Sequence, residues 1–141
     1  MKGKSLITYK ILLVEDNPGD IFLVQEALKD VDIKHRLYVA KSGKEAIEKI
    51  IQEHIRPDLI LLDINLPFNN GLEVLHTLKT SDRHCHIPVI MLTTSSSPRD
   101  IKRSYQLQAS SYLCKPDSID GLTDLLQNTC NYYLQQAMLP V

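Results

Sequence analysis

No apolar run in these 141 residues approaches the roughly 20 that a membrane span requires. The opening MKGKSLITYK also lacks the apolar stretch of a secretory signal. Net charge is nearly absent: 16 Lys plus Arg face 17 Asp plus Glu, a formal charge of −1. That is too little to hold a nucleic-acid backbone by counterion release. Cysteine is scarce. Cys85, Cys114 and Cys130 are an odd number without C-x-x-C spacing, which argues against a disulfide framework or a zinc knuckle. His84-Cys85-His86 sets metal-ligand types side by side, but alternating residues on a short loop seldom converge on one ion, and no second pair is spaced to complete a tetrahedron. The expectation is a cytoplasmic chain with no membrane or nucleic-acid partner. Its length suits one domain over residues 1–141, with a core from about 9 to 138 and no output domain.

What is present is alternation. Short continuous apolar runs at Lys10 to Val14, Arg36 to Ala40, Asp58 to Asp63, Pro88 to Thr93 and Ser111 to Lys115 read as strands. Leu59-Ile60-Leu61-Leu62 reads as buried on both faces. Between the runs lie segments of helical period whose starts are signalled by Asn17 before Pro18, Ser42 with Glu45, Ser97 before Pro98, and Asp117 or Ser118. Their apolar stripes are Ile21, Val24, Leu28 and Val31; Ala46, Ile47, Ile50 and Ile51; Leu72, Leu75 and Leu78; and Ile119, Leu122, Leu126 and Cys130. The fourth helix offers only Ile101, Tyr105 and Leu107 and is expected to be the most loosely anchored element. Five strand–helix units with right-handed crossovers predict an α/β, flavodoxin-like, doubly wound parallel sheet of order 2-1-3-4-5 with five helices.

In such a sheet, functional groups gather at the carboxyl ends of the strands, beside the point where strand order reverses. Those ends read Glu15-Asp16, Asp63, Thr93-Thr94 and Lys115. Taken alone, Glu15-Asp16 is ordinary helix-start electrostatics, and Thr93-Thr94 is a strand end. Their joint placement at four strand ends is harder to produce by independent turn and cap choices. Three neighbouring carboxylates repel one another unless a cation neutralises them. All-oxygen ligands without His or Cys select a hard cation, and a few protein ligands completed by water suit Mg²⁺. A carboxylate beside Mg²⁺, a lysine and a hydroxyl is suited to phosphoryl transfer onto the carboxylate, with Asp63 as nucleophile and Thr93 and Lys115 on the phosphoryl oxygens. There is no Walker loop for a nucleotide, so the expected donor is another phosphoprotein or a small acyl phosphate.

The segments VEDNPGD from Val14, LILLDINLP from Leu59, VIMLTTS from Val89 and SYLCKP from Ser111, in this order, resemble the response-regulator receiver domain of two-component signalling. The resemblance spans nearly the whole chain. It implies phosphorylation of Asp63 by a sensor histidine kinase. It further implies Mg²⁺ held by Asp16, Asp63, the backbone carbonyl of Asn65 and, through water, Glu15, with the phosphate taken by Thr93 and Lys115. It makes Tyr112 an aromatic switch that follows Thr93, and Lys115-Pro116 a cis peptide. The readout is expected on the face of the fourth helix, fifth strand and fifth helix, where the fifth strand, as a sheet edge, suits a homodimer. The wording DNPGD, NLP and LTTS most resembles the stand-alone regulators paired with cyanobacterial phytochromes.

Some positions depart from the commoner pattern of that family: Gln108 where Gly is usual, Asp117 after Pro116, and Leu66-Pro67-Phe68 after Asp63. Tyr132 and Tyr133 are adjacent on a helix and point about 100° apart, so one is free to pack inward while the other faces solvent; the pair suits a dimer anchor and a helix end that covers the core equally well. Two other chemistries suit the same fold. An aspartate-nucleophile phosphatase wants a second carboxylate two residues after the nucleophile, where Asn65 stands; a flavin carrier would meet the acidic Glu15-Asp16-Asn17-Pro18 segment, which repels an FMN phosphate.

Overall fold

The computed structural model describes residues 7–68 and 70–140. Its strands are β1 (Tyr9–Val14), β2 (His35–Ala40), β3 (Leu59–Leu62), β4 (Val89–Thr93) and β5 (Ser111–Cys114), and its helices α1 (Pro18–Lys29), α2 (Gly43–Ile51), α3 (Gly71–Lys79), α4 (Pro98–Gln106) and α5 (Ile119–Cys130). A π-helical turn, Asn131–Gln136, continues α5. All strand pairs are parallel, in the order β2-β1-β3-β4-β5. This is the flavodoxin-like order expected from the alternation, and it opens the crevice between β1 and β3.

Alternation along the strands divides the core in two. Ile11, Leu13, Leu59, Leu61, Ile90 and Leu92 face α1 and α5, where Val24, Leu28, Leu122 and Leu126 cover them. Leu12, Val14, Ile60, Leu62, Val89 and Met91 face α2 and α3, under Ala46, Ile50, Val74, Leu75 and Leu78. The run Leu59-Ile60-Leu61-Leu62 is buried throughout, as a central strand with helices on both faces must be.

The expected stripes need three corrections. Ile51 is exposed because it closes α2, one residue round from the Ala46–Ile50 stripe. Ile119 is exposed because it opens α5 before the helix reaches the sheet. Val31 is buried but lies in the turn past the end of α1. Asp63 and Lys115 each stand one residue beyond their strands.

Caps account for most helix starts: the side chains of Asn17, Ser42, Ser97 and Ser118 accept the amides of Asp20, Glu45, Asp100 and Gly121. Ser118, not Asp117, caps α5, and Asn70, unmarked in the sequence reading, caps α3 through the amide of Leu72. Helix α4 buries only Ser104, whose hydroxyl turns back to the carbonyl of Asp100. It therefore has few contacts to resist movement. Among the described residues no helix is long and apolar enough to cross a membrane.

Gln108 follows α4 in the left-handed region, at φ 73°. An L side chain there costs about 1–2 kcal/mol, which glycine avoids at some cost in chain entropy. Gln108→Gly is expected to stabilise the protein by about 1 kcal/mol and raise the melting temperature by about 3–5 °C in a thermal scan.

Candidate functional site

The ends of β1, β3 and β5 are held in register past the strands themselves. The amide of Glu15 donates to Ala40, that of Asp63 to Val14 and that of Lys115 to Thr93. Three side chains from distant parts of the chain are thereby carried to one edge. The Lys115 ammonium donates to Glu15 Oε2 at 2.5 Å, Asp20 Oδ2 at 3.1 Å and Asp63 Oδ2 at 3.3 Å. Lys115, Glu15 and Asp63 are nearly enclosed, with side chains 9%, 1% and 9% exposed, whereas that of Asp20 is 32% exposed.

Glu15 is anchored further: its Oε1 accepts the amides of Asp16 and Asn17, both at 3.1 Å. Burial pushes its carboxyl up from 4.5 to about 7; the bond to Lys115 opposes this and the neighbouring Asp63 reinforces it. Burial pulls the Lys115 ammonium down, but the bond to Glu15 and the charges of Asp63 and Glu15 outweigh it, leaving Lys115 above its usual range. Three carboxylates share one ammonium at this centre.

From these shifts a pH dependence follows. Between about 4.5 and about 7 the folded protein keeps a proton on Glu15 that the unfolded chain has released, so stability falls as pH rises through that window and levels off above it. The contribution of Lys115, whose folded value is raised, persists through the same window and is lost only above 10.5. In metal-free buffer the urea midpoint is expected to decline from pH 4.5 towards 7, and Glu15→Gln is expected to flatten that decline.

The remaining predicted residues are placed differently. Asp16 and Asn65 face solvent, although the amide of Asn65 donates to Asp63 Oδ1 at 3.2 Å. Among the described residues no three His, Cys, Asp or Glu side chains are gathered as metal ligands. Glu15, Asp20 and Asp63 converge on the lysine, while Asp16 is exposed. His84-Cys85-His86 gathers no ligand set either, and Cys85 is exposed. The described residues include no cis peptide. Lys115-Pro116 is therefore trans, the form favoured by about 0.5–1 kcal/mol, and the side chain reaches the acidic cluster without the expected isomer.

Thr93 is fully buried, and its Oγ1 accepts the amide of Ser95 at 3.3 Å. The Tyr112 hydroxyl donates to the carbonyl of Ser95 at 2.8 Å, and the Ser95 hydroxyl donates to Asp100 Oδ2 at 2.7 Å in the first turn of α4. Thr93, Tyr112 and α4 are thus joined through Ser95. The amide of Tyr112 also donates to the Tyr105 hydroxyl at 3.0 Å. Near the chain end Tyr133 packs inward and meets Ser111 Oγ at 2.6 Å, while Tyr132 is exposed, as their angular offset suggested.

Three residues of the site were missed. Asp20 and Ser95 are the last letters of two motifs already singled out, but their partners lie far away in sequence. Gly71 is the third. A Cβ there would stand 2.1 Å from the carbonyl oxygen of Asp63 and 2.8 Å from Ile64 Cα, and its amide donates to Ile64 at 2.8 Å. The only local signal was a glycine after Asn70.

Residues 11–127 match the model of the response regulator receiver domain. The chain is 39% identical over 135 residues to the response regulator Rcp1 of Synechocystis, covering 92% of both chains. Among solved structures, the phosphorylated cyanobacterial phytochrome response regulator RcpA superposes with a TM-score of 0.89 at 38% identity, over 96% of this chain and 100% of that one. The Mn²⁺-bound form of Rcp1 superposes at 0.84 with 39% identity, over 94% and 99%.

Proposed function

Because the chain belongs to the response-regulator receiver family, we propose that it accepts a phosphoryl group from a sensor histidine kinase onto Asp63 and signals by changing its protein contacts. The observation that carries this reading is the Lys115 ammonium held 3.3 Å from Asp63 Oδ2 at the carboxyl edge of the sheet. In the transfer an Asp63 carboxylate oxygen attacks phosphorus. An O–P bond forms, the P–N bond to the kinase histidine breaks, and its electron pair returns to the imidazole. Lys115 moves towards the phosphoryl oxygens, and the Thr93 hydroxyl is the neutral donor on the β4 side. The chain catalyses only its own phosphorylation and dephosphorylation.

The donor chemistry fits a divalent metal, since the groups are all oxygen and three carboxylates share a single ammonium. Glu15 through water, Asp16, Asp63 and the Asn65 carbonyl are the residues that would hold Mg²⁺. Bound there, the metal supplies positive charge for the phosphoryl oxygens.

Similarity to a cyanobacterial phytochrome response regulator supports a phytochrome as the kinase and the cytoplasm as the compartment. The output is read on the face of α4, β5 and α5. Phosphate favours a conformation in which Thr93 is drawn inward, Ser95 and Tyr112 exchange partners, and α4 shifts, to the extent of its differential interaction with the two states. Room for that shift is present: an open cleft of about 870 Å³ separates α4 from the start of α3, bounded by Asn70, Leu72, Ser97, Arg103 and Gln106. On the same face β5 is a sheet edge, and Tyr105 and Ile119 are exposed apolar groups, which favours a homodimer.

Size-exclusion chromatography with and without beryllofluoride and Mg²⁺ tests the pocket, the switch and the surface together. A beryllofluoride-dependent change in oligomeric size is expected, and Lys115→Ala is expected to abolish it. An unchanged elution volume on saturation, or an unaltered response in Lys115→Ala, contradicts the coupling.

A further inference from the structure

An ammonium has three N–H donors, and in this protein three carboxylates take them: those of Glu15, Asp20 and Asp63. Two of these belong to the phosphoryl chemistry proposed above. Asp20 is additional. It lies in the first turn of α1, and its amide is tied to Asn17 Oδ1 at 3.0 Å, so the helix cap sets where its carboxylate stands. Its side chain is also the most open of the three. Water can replace Lys115 at Asp20, whereas Glu15 is buried and would be left without a counter-charge.

We propose that Asp20 is a positioning residue that holds Lys115 in the resting protein and releases it to the phosphoryl group. The inference rests on Asp63 being the phosphoacceptor. A phosphoryl group on Asp63 brings roughly two negative charges, and Lys115 has no fourth donor to meet them. One carboxylate must let go, and Asp20 is the one that rehydrates. Until then its charge both competes for Lys115 and repels an anionic donor.

The test uses the full chain, acetyl phosphate as donor and saturating Mg²⁺. Asp20→Asn keeps an acceptor oxygen and removes the charge, while Asp20→Glu keeps the charge. Asp20→Asn is expected to take label about three to ten times faster than the native protein, with Asp20→Glu close to native. Structural damage does not accelerate labelling, so the direction separates the two roles. In a Lys115→Ala background the acceleration is expected to shrink, because only the repulsion of the anionic donor is then relieved. An unchanged or slower rate in Asp20→Asn, or equal acceleration without Lys115, overturns the proposal.

A second readout needs no phosphorylation. In ¹⁵N NMR of lysine ammonium groups, exchange of the Lys115 protons with water is expected to quicken in Asp20→Asn; unchanged exchange overturns the holding role. If the native protein takes no label on Asp63, the phosphoacceptor reading fails, while the exchange measurement still decides whether Asp20 holds Lys115.

Discussion

Asp63→Asn is expected to reduce phosphoryl incorporation from a phosphorylated kinase or from acetyl phosphate to background, with the fold retained. The amide has no anionic oxygen to attack phosphorus and cannot form the acyl phosphate. The fold survives because the Oδ1 of Asp63 accepts the amide of Asn65, which an asparagine carbonyl oxygen also does, and Lys115, which loses the Asp63 carboxylate, keeps those of Glu15 and Asp20. The substitution also removes a carboxylate that raises the proton affinity of Glu15, so no loss of thermal stability is expected. Radiolabelling beside a melting curve reads both parts. Native labelling in Asp63→Asn, acid-labile and sensitive to hydroxylamine, would place the acceptor elsewhere.

Gly71→Ala is expected to damage the same site from the opposite side. The added methyl would lie 2.1 Å from the Asp63 carbonyl and 2.8 and 2.9 Å from Ile64 Cα and the Asp63 carbonyl carbon, all backbone atoms that no rotamer change can move. Either α3 withdraws from the sheet or the Asp63 segment is pushed out of line. The expected cost is about 3 kcal/mol, a fall in melting temperature of about 10 °C. Because a displacement of about 1 Å at a reacting group costs up to about a hundredfold in rate, labelling of the surviving folded protein should slow at least tenfold. Gly19→Ala is the control: its methyl would meet only the side-chain oxygen of Asn17, at 3.2 Å, and both stability and labelling are expected to stay near native. Equal tolerance at the two glycines would mean that close packing at Gly71 does not position Asp63.

Strand order and the strand-end location of Glu15, Asp63, Thr93 and Lys115 were legible because both depend on period and position, which a sequence displays directly. Leu59-Ile60-Leu61-Leu62 announces a strand buried on both faces, and a parallel sheet then puts Asp63 at its carboxyl edge. The partners within the site were not legible. Nothing near Asp20 or Lys115 in sequence says that they pair across 95 positions, and the junction at Ser95 is visible only once β5 brings Tyr112 beside it. Gly71 illustrates a third kind of silence: a residue defined by what cannot fit next to it leaves no pattern of its own. The expected cis form of Lys115-Pro116 failed for a local reason: it was not needed to aim the ammonium at the acidic cluster. Gln108 was marked by its departure from the family pattern, and its left-handed backbone explains why glycine is usual there.

Whether the lysine-held aspartate at the end of β3 receives phosphorus is read by treating the native protein with acetyl phosphate and Mg²⁺, trapping the acyl phosphate with hydroxylamine and mapping the peptides by mass spectrometry. The predicted result is a single hydroxamate on Asp63, absent when Mg²⁺ is chelated. A modification on any other residue, or none at all in protein shown to be folded, contradicts it.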